Sequence, residues 1–466
     1  MQRQNASDLA SSIPANAPLL LDFDHTLLCS NSTELFISEC KPSFVIAIID
    51  FVVRKCIPWR LSGLNNWFRV RDYVCCMVIF LLTPWNLWRW KTIAPDIFAA
   101  HVSKDVSAAL DHFPAKRTTI ISFGMKSIIS PMIALSKWRA TDLIATPNRV
   151  NIQYFKKGKR DIAEDHLTAQ TIAEAAFVTD SLDDQDLLEV VSEGILIEPQ
   201  GEPASASETL YLPLRYTANA KYSRNYIIDQ TFLVDILLAI ISVSMFLEQA
   251  VLYTITVPFF ILSLMCIYEI GYFENDVIGA KKEKSPTLKP SFEKYRDFPV
   301  GRNAWMWGVS TGLIGCVLGA QLGLIPDGKL TVSILIWGGL LLLTRGIFYI
   351  YNRLGSAWRT LFYPLLQIIK SGAIFLIFVP SVFGVLMTFS QVVAMSANYT
   401  AYRLGLGRDI IEKEVTRLGV FIVGASILVA IRGWELILDE YFAFTILLLW
   451  ASLRLAKPAL RKLRQS

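Results

Sequence analysis

Histidine is scarce, with four in 466 residues, and the seven cysteines form no C-x-x-C pair. Cys29, Cys40, Cys56, Cys75, Cys76, Cys266 and Cys316 lack the spacing of a zinc site or of a disulfide framework. That excludes a small secreted scaffold and fits a reducing compartment. The opening stretch MQRQNASDLASSIPANAP has no apolar core, so no signal peptide is expected and the first half is expected to stay in the cytoplasm. Charge of one sign does not dominate either: 45 Lys and Arg face 40 Asp and Glu, a net +5. So small an excess gives no reason to expect a nucleic-acid partner.

Apolar runs are abundant, and they are unevenly placed. Residues 1–225 mix charged and apolar segments, whereas 226–456 is mostly long apolar stretches, which raises the mean hydropathy to +0.42. A membrane helix needs about 20 apolar residues. Eight stretches qualify: about 227–247, 250–271, 303–322, 330–350, 359–378, 380–398, 418–433 and 437–455. With the N-terminus inside, the connections and tail on the cytoplasmic side carry eighteen Lys and Arg, against Lys329 and Arg432 opposite. That is the expected positive-inside bias, and it accounts for the basic excess without nucleic acid. Asp235, Glu269, Arg345, Gln367, Lys370 and Asn398 lie within or at the ends of these runs. Ionisable groups at membrane depth are costly, so they are expected to face a polar bundle interior, with snorkelling at helix ends as the alternative.

The longest inside connection begins YEIGYFENDVIGAKKEKSPTLKP, Tyr268–Pro290. Asn275 and Asp276 offer oxygen ligands for Mg²⁺. Lys281, Lys282, Lys284 and Lys289 can neutralise phosphate oxygens. This region resembles the UbiA family of intramembrane prenyltransferases and its N-D-x-x-D-x-x-x-D motif. Asn275 and Asp276 match the first positions, Glu283 replaces the last Asp, and Gly279 departs from the middle one. The SPT that follows is similar to the HPT of decaprenyl-phosphate phosphoribosyltransferases. The family's second motif falls in SANYTAYRLGLGRDIIEKE, which lacks D-x-x-x-D and offers Asn398, Tyr399, Arg403, Arg408, Asp409 and Glu412. The resemblance implies Mg²⁺ at Asn275, Asp276 and Glu283. It implies substrate binding by Lys281, Lys282, Tyr399, Arg403, Arg408 and Asp409.

In the first half, PLLLDFDHTLL ends an apolar run on Asp22 and Asp24. It fits D-x-D-x-T-[LV] and resembles the first motif of the haloacid dehalogenase (HAD) phosphohydrolases. The later motifs follow in order: Ser122 in TTIISFG, Lys157 in YFKKGKRDIAEDHL with Lys159 as the alternative, and Asp180, Ser181 and Asp184 in AAFVTDSLDDQDLL. The resemblance implies a doubly wound α/β sheet with a helical cap at about 33–115. Asp22 would be the nucleophile, Asp24 the acid and base, and Ser122 and Lys157 the phosphate ligands. Asp22, Asp24 (through its carbonyl) and Asp180 would hold Mg²⁺, and Ser181 and Asp184 would bind substrate.

Two further segments matter. Trp59, Trp67, Trp85, Trp88 and Trp90, with Arg54, Lys55, Arg60, Arg69, Arg71 and Arg89, read either as a membrane-surface face or as an ordinary cap core. Residues 199–225 read as a linker, leaving 1–198 as the HAD-like domain and 226–466 as an all-α, eight- to nine-helix UbiA-like bundle. Together the resemblances imply an inner-membrane enzyme. It would join phosphoribosyl diphosphate to a polyprenyl phosphate and then remove the 5-phosphate, on the way to a lipid-linked pentose such as arabinofuranose. The alternatives are transfer of a prenyl group from its diphosphate to an aromatic acceptor, and a membrane scaffold with only the HAD half active.

Overall fold

Short apolar runs flanked by turns become parallel strands here: β1 (Leu19–Asp22), β2 (Thr118–Met125), β3 (Asp142–Thr146), β4 (Ala176–Thr179) and β5 (Glu193–Leu196). The computed structural model that shows them describes residues 3–14, 16–64, 66–111, 113–201, 209–222, 224–282, 288–406 and 410–463. It divides into two units, Met1–Tyr211 and Leu212–Ser466.

In the first unit the described strands make one sheet in the order β3-β2-β1-β4-β5, every pair parallel. Strands buried on both faces need no polar alternation, and β1 and β4 are buried throughout. Leu20, Ile121, Ile144 and Phe177 of the sheet pack against Ile162, Ala163 and Ile172 of the helices after β3. The chain winds outward from β1 to β3 and restarts at β4 on the other side of β1. That reversal leaves a crevice at the carboxyl ends of β1 and β4, where sheets of this order bind ligands. Between β1 and β2 run the helices Ser32–Glu39, Ser43–Phe51, Trp67–Leu82, Trp85–His101 and Lys104–Ala109.

The second unit is helical. Ile227–Val243, the first part wound as a π-helix, is followed by Leu247–Lys282, Val300–Gln321, Leu330–Arg353, Ser356–Gly372, Val382–Arg403, Lys413–Arg432 and Tyr441–Leu463. Helices therefore stand where the eight apolar runs were read. Among the described residues, however, only Leu247–Lys281, Leu330–Arg353, Val382–Arg403 and Lys413–Arg432 are long and apolar enough to cross a membrane. A bent pair in the first unit would make a fifth. The others fall short for visible reasons. Ser356–Gly372 is short and carries Arg359 and Lys370, and the apolar part of the last helix ends at Ala456. Large side chains such as Leu335, Leu342 and Ile431 are exposed, as lipid-facing positions would be.

Helix contacts in this unit use small residues. Gly271 lies against the Phe348 ring, and Gly384 lies against the backbone of Ser242. The expected linker is only partly one. Leu214–Lys221 folds into the second unit, because the Glu269 carboxylate, buried in a helix, accepts hydrogen bonds from the Leu214 and Thr217 amides and the Thr217 hydroxyl at 2.7–2.9 Å. A buried carboxylate needs such donors, and this one captures the chain entering the bundle.

A methyl at Gly384 would sit 2.2 Å from the Ser242 carbonyl oxygen, whereas one at Gly338 would meet nothing within 4 Å. Gly384→Ala should therefore lower stability by about 1–3 kcal/mol through overpacking, and Gly338→Ala should not. Thermal unfolding in detergent compares them, and equal midpoints would refute the close packing.

Candidate functional site

Four segments meet in the first unit's crevice. Asp22 ends β1, buried; its Oδ1 accepts from the Phe23 amide at 2.8 Å and lies 2.7 Å from Lys159 Nζ. Lys159 also reaches Asp184 Oδ2 at 2.7 Å, and Thr179 at the end of β4 donates to that oxygen at 2.6 Å. Asp180 exchanges hydrogen bonds with the Thr26 hydroxyl, 3.0 and 3.1 Å, which ties the loop after β1 to the loop after β4. Asp24 Oδ1 accepts from the Ser32 amide at 2.6 Å, and its Oδ2 faces the Ser122 hydroxyl at 3.4 Å. Asp22, Asp24, Ser122, Lys159, Asp180 and Asp184 line a cavity of about 310 Å³ together with His25, Arg69, Phe123 and Ser181.

Local backbone explains the aim of several side chains. The β2–β3 register shifts between Ser122 and Met125, so Phe123 and Gly124 bulge where the strand reaches the cavity. His25 takes a left-handed φ of 57°, turning the chain just after Asp24. Ser181 caps the turn that carries Asp184, accepting from the Asp183 amide at 3.1 Å.

The lysine differs from the expected one. Lys157 is exposed and paired with Asp165; Lys159, almost fully buried, is the residue against Asp22. Gly158 makes this turn possible, since a Cβ there would lie 2.1 Å from Asp186 Oδ2, the oxygen that accepts from the Arg160 amide. The helix Lys159–Glu164 then begins at once, and Lys159, Ile162 and Ala163 share its buried face. That i, i+3, i+4 pattern was readable in the sequence and favoured Lys159. Arg69, which the sequence left between a membrane face and a cap core, lies 3.2 Å above the Phe123 ring at the cavity. No motif marks it.

Burial dominates the electrostatics. It pushes the Asp22 carboxyl up to about 7 against the pull of Lys159, and it also raises Asp24 and Asp180. Lys159 is held above its ordinary value: burial opposes its charge, but Asp22 and Asp184 outweigh that. Among the described residues no three His, Cys, Asp or Glu are grouped as a metal cluster. What the crevice offers is oxygen: the Asp22 and Asp180 carboxylates and the main chain at Asp24.

The second unit holds a cavity of about 770 Å³ among its helices. Its lining includes Lys221, Asn275, Lys370, Asn398, Tyr399 and Lys413, with Glu412 as the carboxylate and a set of tyrosines. Tyr399 is fixed by three neighbours: the Tyr351 hydroxyl at 2.7 Å, Arg403 Nε donating at 2.8 Å, and the stacked Tyr363 ring at 4.0 Å. Lys370 pairs with buried Asp235 at 2.8 Å. Asn275 lines the cavity, but Asp276 does not. It accepts from the Tyr216 hydroxyl at 2.7 Å and pairs with Lys221, so the expected Asn275–Asp276 metal pair is split. Lys281 is exposed at the helix end. Glu283, Arg408, Asp409 and the Lys282 side chain lie outside the described residues. The lysines at 221, 370 and 413 supply the cationic character expected of the loop lysines. Lys221 lay hidden in the segment read as linker.

Searches of protein-family models, curated proteins and solved structures return no match for this chain.

A carboxyl raised by burial keeps its proton in the folded state over a range where the unfolded chain has lost it. Folding stability therefore falls as pH rises from about 4 to about 7. In chelator-treated full-length protein, the urea midpoint of the first unit should drop over that range. Asp22→Asn, which cannot ionise, should reduce the drop. An unchanged slope would mean that Asp22 ionises freely.

Proposed function

We propose that the first unit is a HAD-type phosphomonoesterase and the second a UbiA-type phosphoribosyltransferase, acting in turn on one polyprenyl lipid at the inner membrane with the first unit cytoplasmic. The observation that carries this reading is the meeting of Asp22, Asp24, Ser122, Lys159, Asp180 and Asp184, from four separate segments, in one crevice.

In the phosphatase step an Asp22 oxygen attacks phosphorus as the bond to the alcohol oxygen breaks, and Asp24 gives that oxygen its proton. Burial raises Asp24, which favours the protonated form that this step uses. Asp24 then takes a proton from water, whose oxygen attacks phosphorus, freeing Asp22 and inorganic phosphate. Lys159 favours the charged form of Asp22 against burial and holds it in place, and the Ser122 hydroxyl is placed to donate to a phosphoryl oxygen. Arg69 is positioned to reach the rest of the substrate. The crevice holds more buried carboxyls than cations and presents oxygen donors, which suits Mg²⁺ held by Asp22, Asp180 and the Asp24 carbonyl. Bound there, the ion would neutralise charge on the phosphoryl group.

In the transfer step an oxygen of the lipid phosphate attacks the anomeric carbon and diphosphate departs. The lysines at 221, 370 and 413 face such anions, and the tyrosine walls suit a sugar phosphate. A cavity richer in lysine than in carboxylate favours this over prenyl transfer through paired metal ions. No metal-dependent step is assigned here, because Asp276 is engaged by Tyr216 and Lys221.

Membranes carrying the full chain, given labelled phosphoribosyl diphosphate and polyprenyl phosphate, should yield dephosphorylated lipid. Asp22→Asn should accumulate lipid that retains the 5-phosphate, and Lys370→Met should yield neither. Absence of any phosphoribosyl lipid from the wild type would overturn the transferase assignment.

Phosphomonoester hydrolysis separates the two lysines. Lys159→Met should lose at least about a hundredfold. Lys157→Met should stay within about twofold, because its ion pair is exposed. The reverse order would overturn the placement of Lys159.

A further inference from the structure

The helical insert of the first unit has an outward end that the proposed chemistry does not use. Trp67–Leu82 and Trp85–His101 are bent by 114° at Thr83–Pro84. Their inner faces are committed to protein. Val70, Cys75, Cys76 and Ile79 are buried on one helix, and Trp90, Ala94 and Phe98 on the other, with the Trp90 indole donating to the Ile128 carbonyl at 2.9 Å. These helices are therefore a packed layer rather than a membrane span.

The bend itself points outward. Leu81 is 79% exposed, Leu82 56%, Trp85 45% and Trp88 71%. Nor is it loose. The Thr83 hydroxyl donates to the Ile79 carbonyl at 2.7 Å. The Asn86 side chain clasps both the amide and the carbonyl of Lys41 at 2.8 Å, and the Trp85 indole donates to that same carbonyl at 2.8 Å. Large apolar groups are thus held rigidly in the open, so burying them costs little further ordering. Lys41 and Lys91 are exposed beside them, as is part of Arg89, which pairs with Glu39, the carboxylate of this rim.

We infer that this bend, Leu81–Trp88, is a wedge that docks the first unit on the surface of a bilayer containing anionic lipid. Aliphatic groups at a tip, tryptophans beside them and a basic rim match an interface, where indoles settle at headgroup depth and lysines meet lipid phosphate. The bilayer is also the surface that the unit cannot avoid. About thirty residues separate β5 from the first helix of a unit with four membrane-length helices, a tether of at most about 100 Å even if extended. Such confinement keeps the wedge at high effective concentration near lipid, so modest affinity suffices.

The test uses the full chain with Cys56, the exposed cysteine among those described, replaced by serine. Leu81→Cys, and separately Leu82→Cys, carries a bimane label, and Glu193→Cys, exposed at the start of β5, is the control. The protein is reconstituted in phosphatidylcholine–phosphatidylglycerol vesicles with brominated or ordinary acyl chains. Bromolipid should quench the label at 81 and 82 by about twofold, leave 193 unchanged, and lose its effect at 81 when Trp88→Glu is added. Equal quenching at 81, 82 and 193 would overturn the inference. So would labels at 81 and 82 that are shielded from aqueous iodide yet untouched by bromolipid, which would point to a protein partner. The readout needs no hydrolysis, so it stands apart from the phosphatase assignment.

Discussion

A carboxylate taken out of water must find a cation or several hydrogen-bond donors, and both units are built around that requirement. Asp22 and Asp184 share Lys159, Asp235 has Lys370, Asp276 has Lys221 and a tyrosine, and Glu269 gathers backbone amides. Removing one partner of such a pair costs about 3–5 kcal/mol, although the pair itself adds little net stability. These groups are therefore poor explanations of why the chain folds. They explain better where it is held to one geometry, and the rest of each core is the apolar packing that lets the pairs stay dry.

The same constraint gives the pairs chemical use. Lys159 keeps a buried carboxylate partly ionised beside a cavity, the state a nucleophile requires. In the second unit, Asp235 and Asp276 are not part of the cavity wall, whereas their lysines are. A lysine so held is fixed in direction before any ligand arrives. Under the proposed transfer reaction, an incoming phosphate would then meet an ammonium group that is already ordered. Preorganisation of this kind is where electrostatic binding at low dielectric gains most.

What could be read from the sequence follows from range. β1 and its DFDHT end were legible because a strand and the residues it delivers are adjacent in the chain. Ser122 and Asp180 were legible for the same reason. The chain offers Lys157 and Lys159 two residues apart, and what separates them is the helical face that Lys159 shares with Ile162 and Ala163. Residues 199–225 read as a linker for their Pro, Ala and Ser content and lack of period; what folds Leu214–Lys221 is a distant carboxylate, Glu269, and no local pattern reports that. Composition left Trp90 and Arg69 between a membrane-surface face and a cap core; Trp90 is core, and Arg69 reaches the cavity. The Asn275–Asp276 pair failed as a joint site because neighbours on a helix point about 100° apart. One lines the cavity and the other meets Tyr216.

Leu247–Lys282 is about 54 Å long at 1.5 Å per residue, so it outruns a hydrocarbon core of about 30 Å. Asn275 and Asp276 lie in its last quarter and need not sit in lipid. Asp276 is nevertheless buried, because the segment Leu214–Lys221 covers it. That entering segment brings Lys221 to the cavity and Tyr216 to Asp276, and it is anchored through Glu269 about two helical turns earlier. The cationic wall therefore depends on a stretch of chain that no membrane helix contains. The cavity is completed only when the segment between the sheet and the first apolar helix has folded onto the bundle.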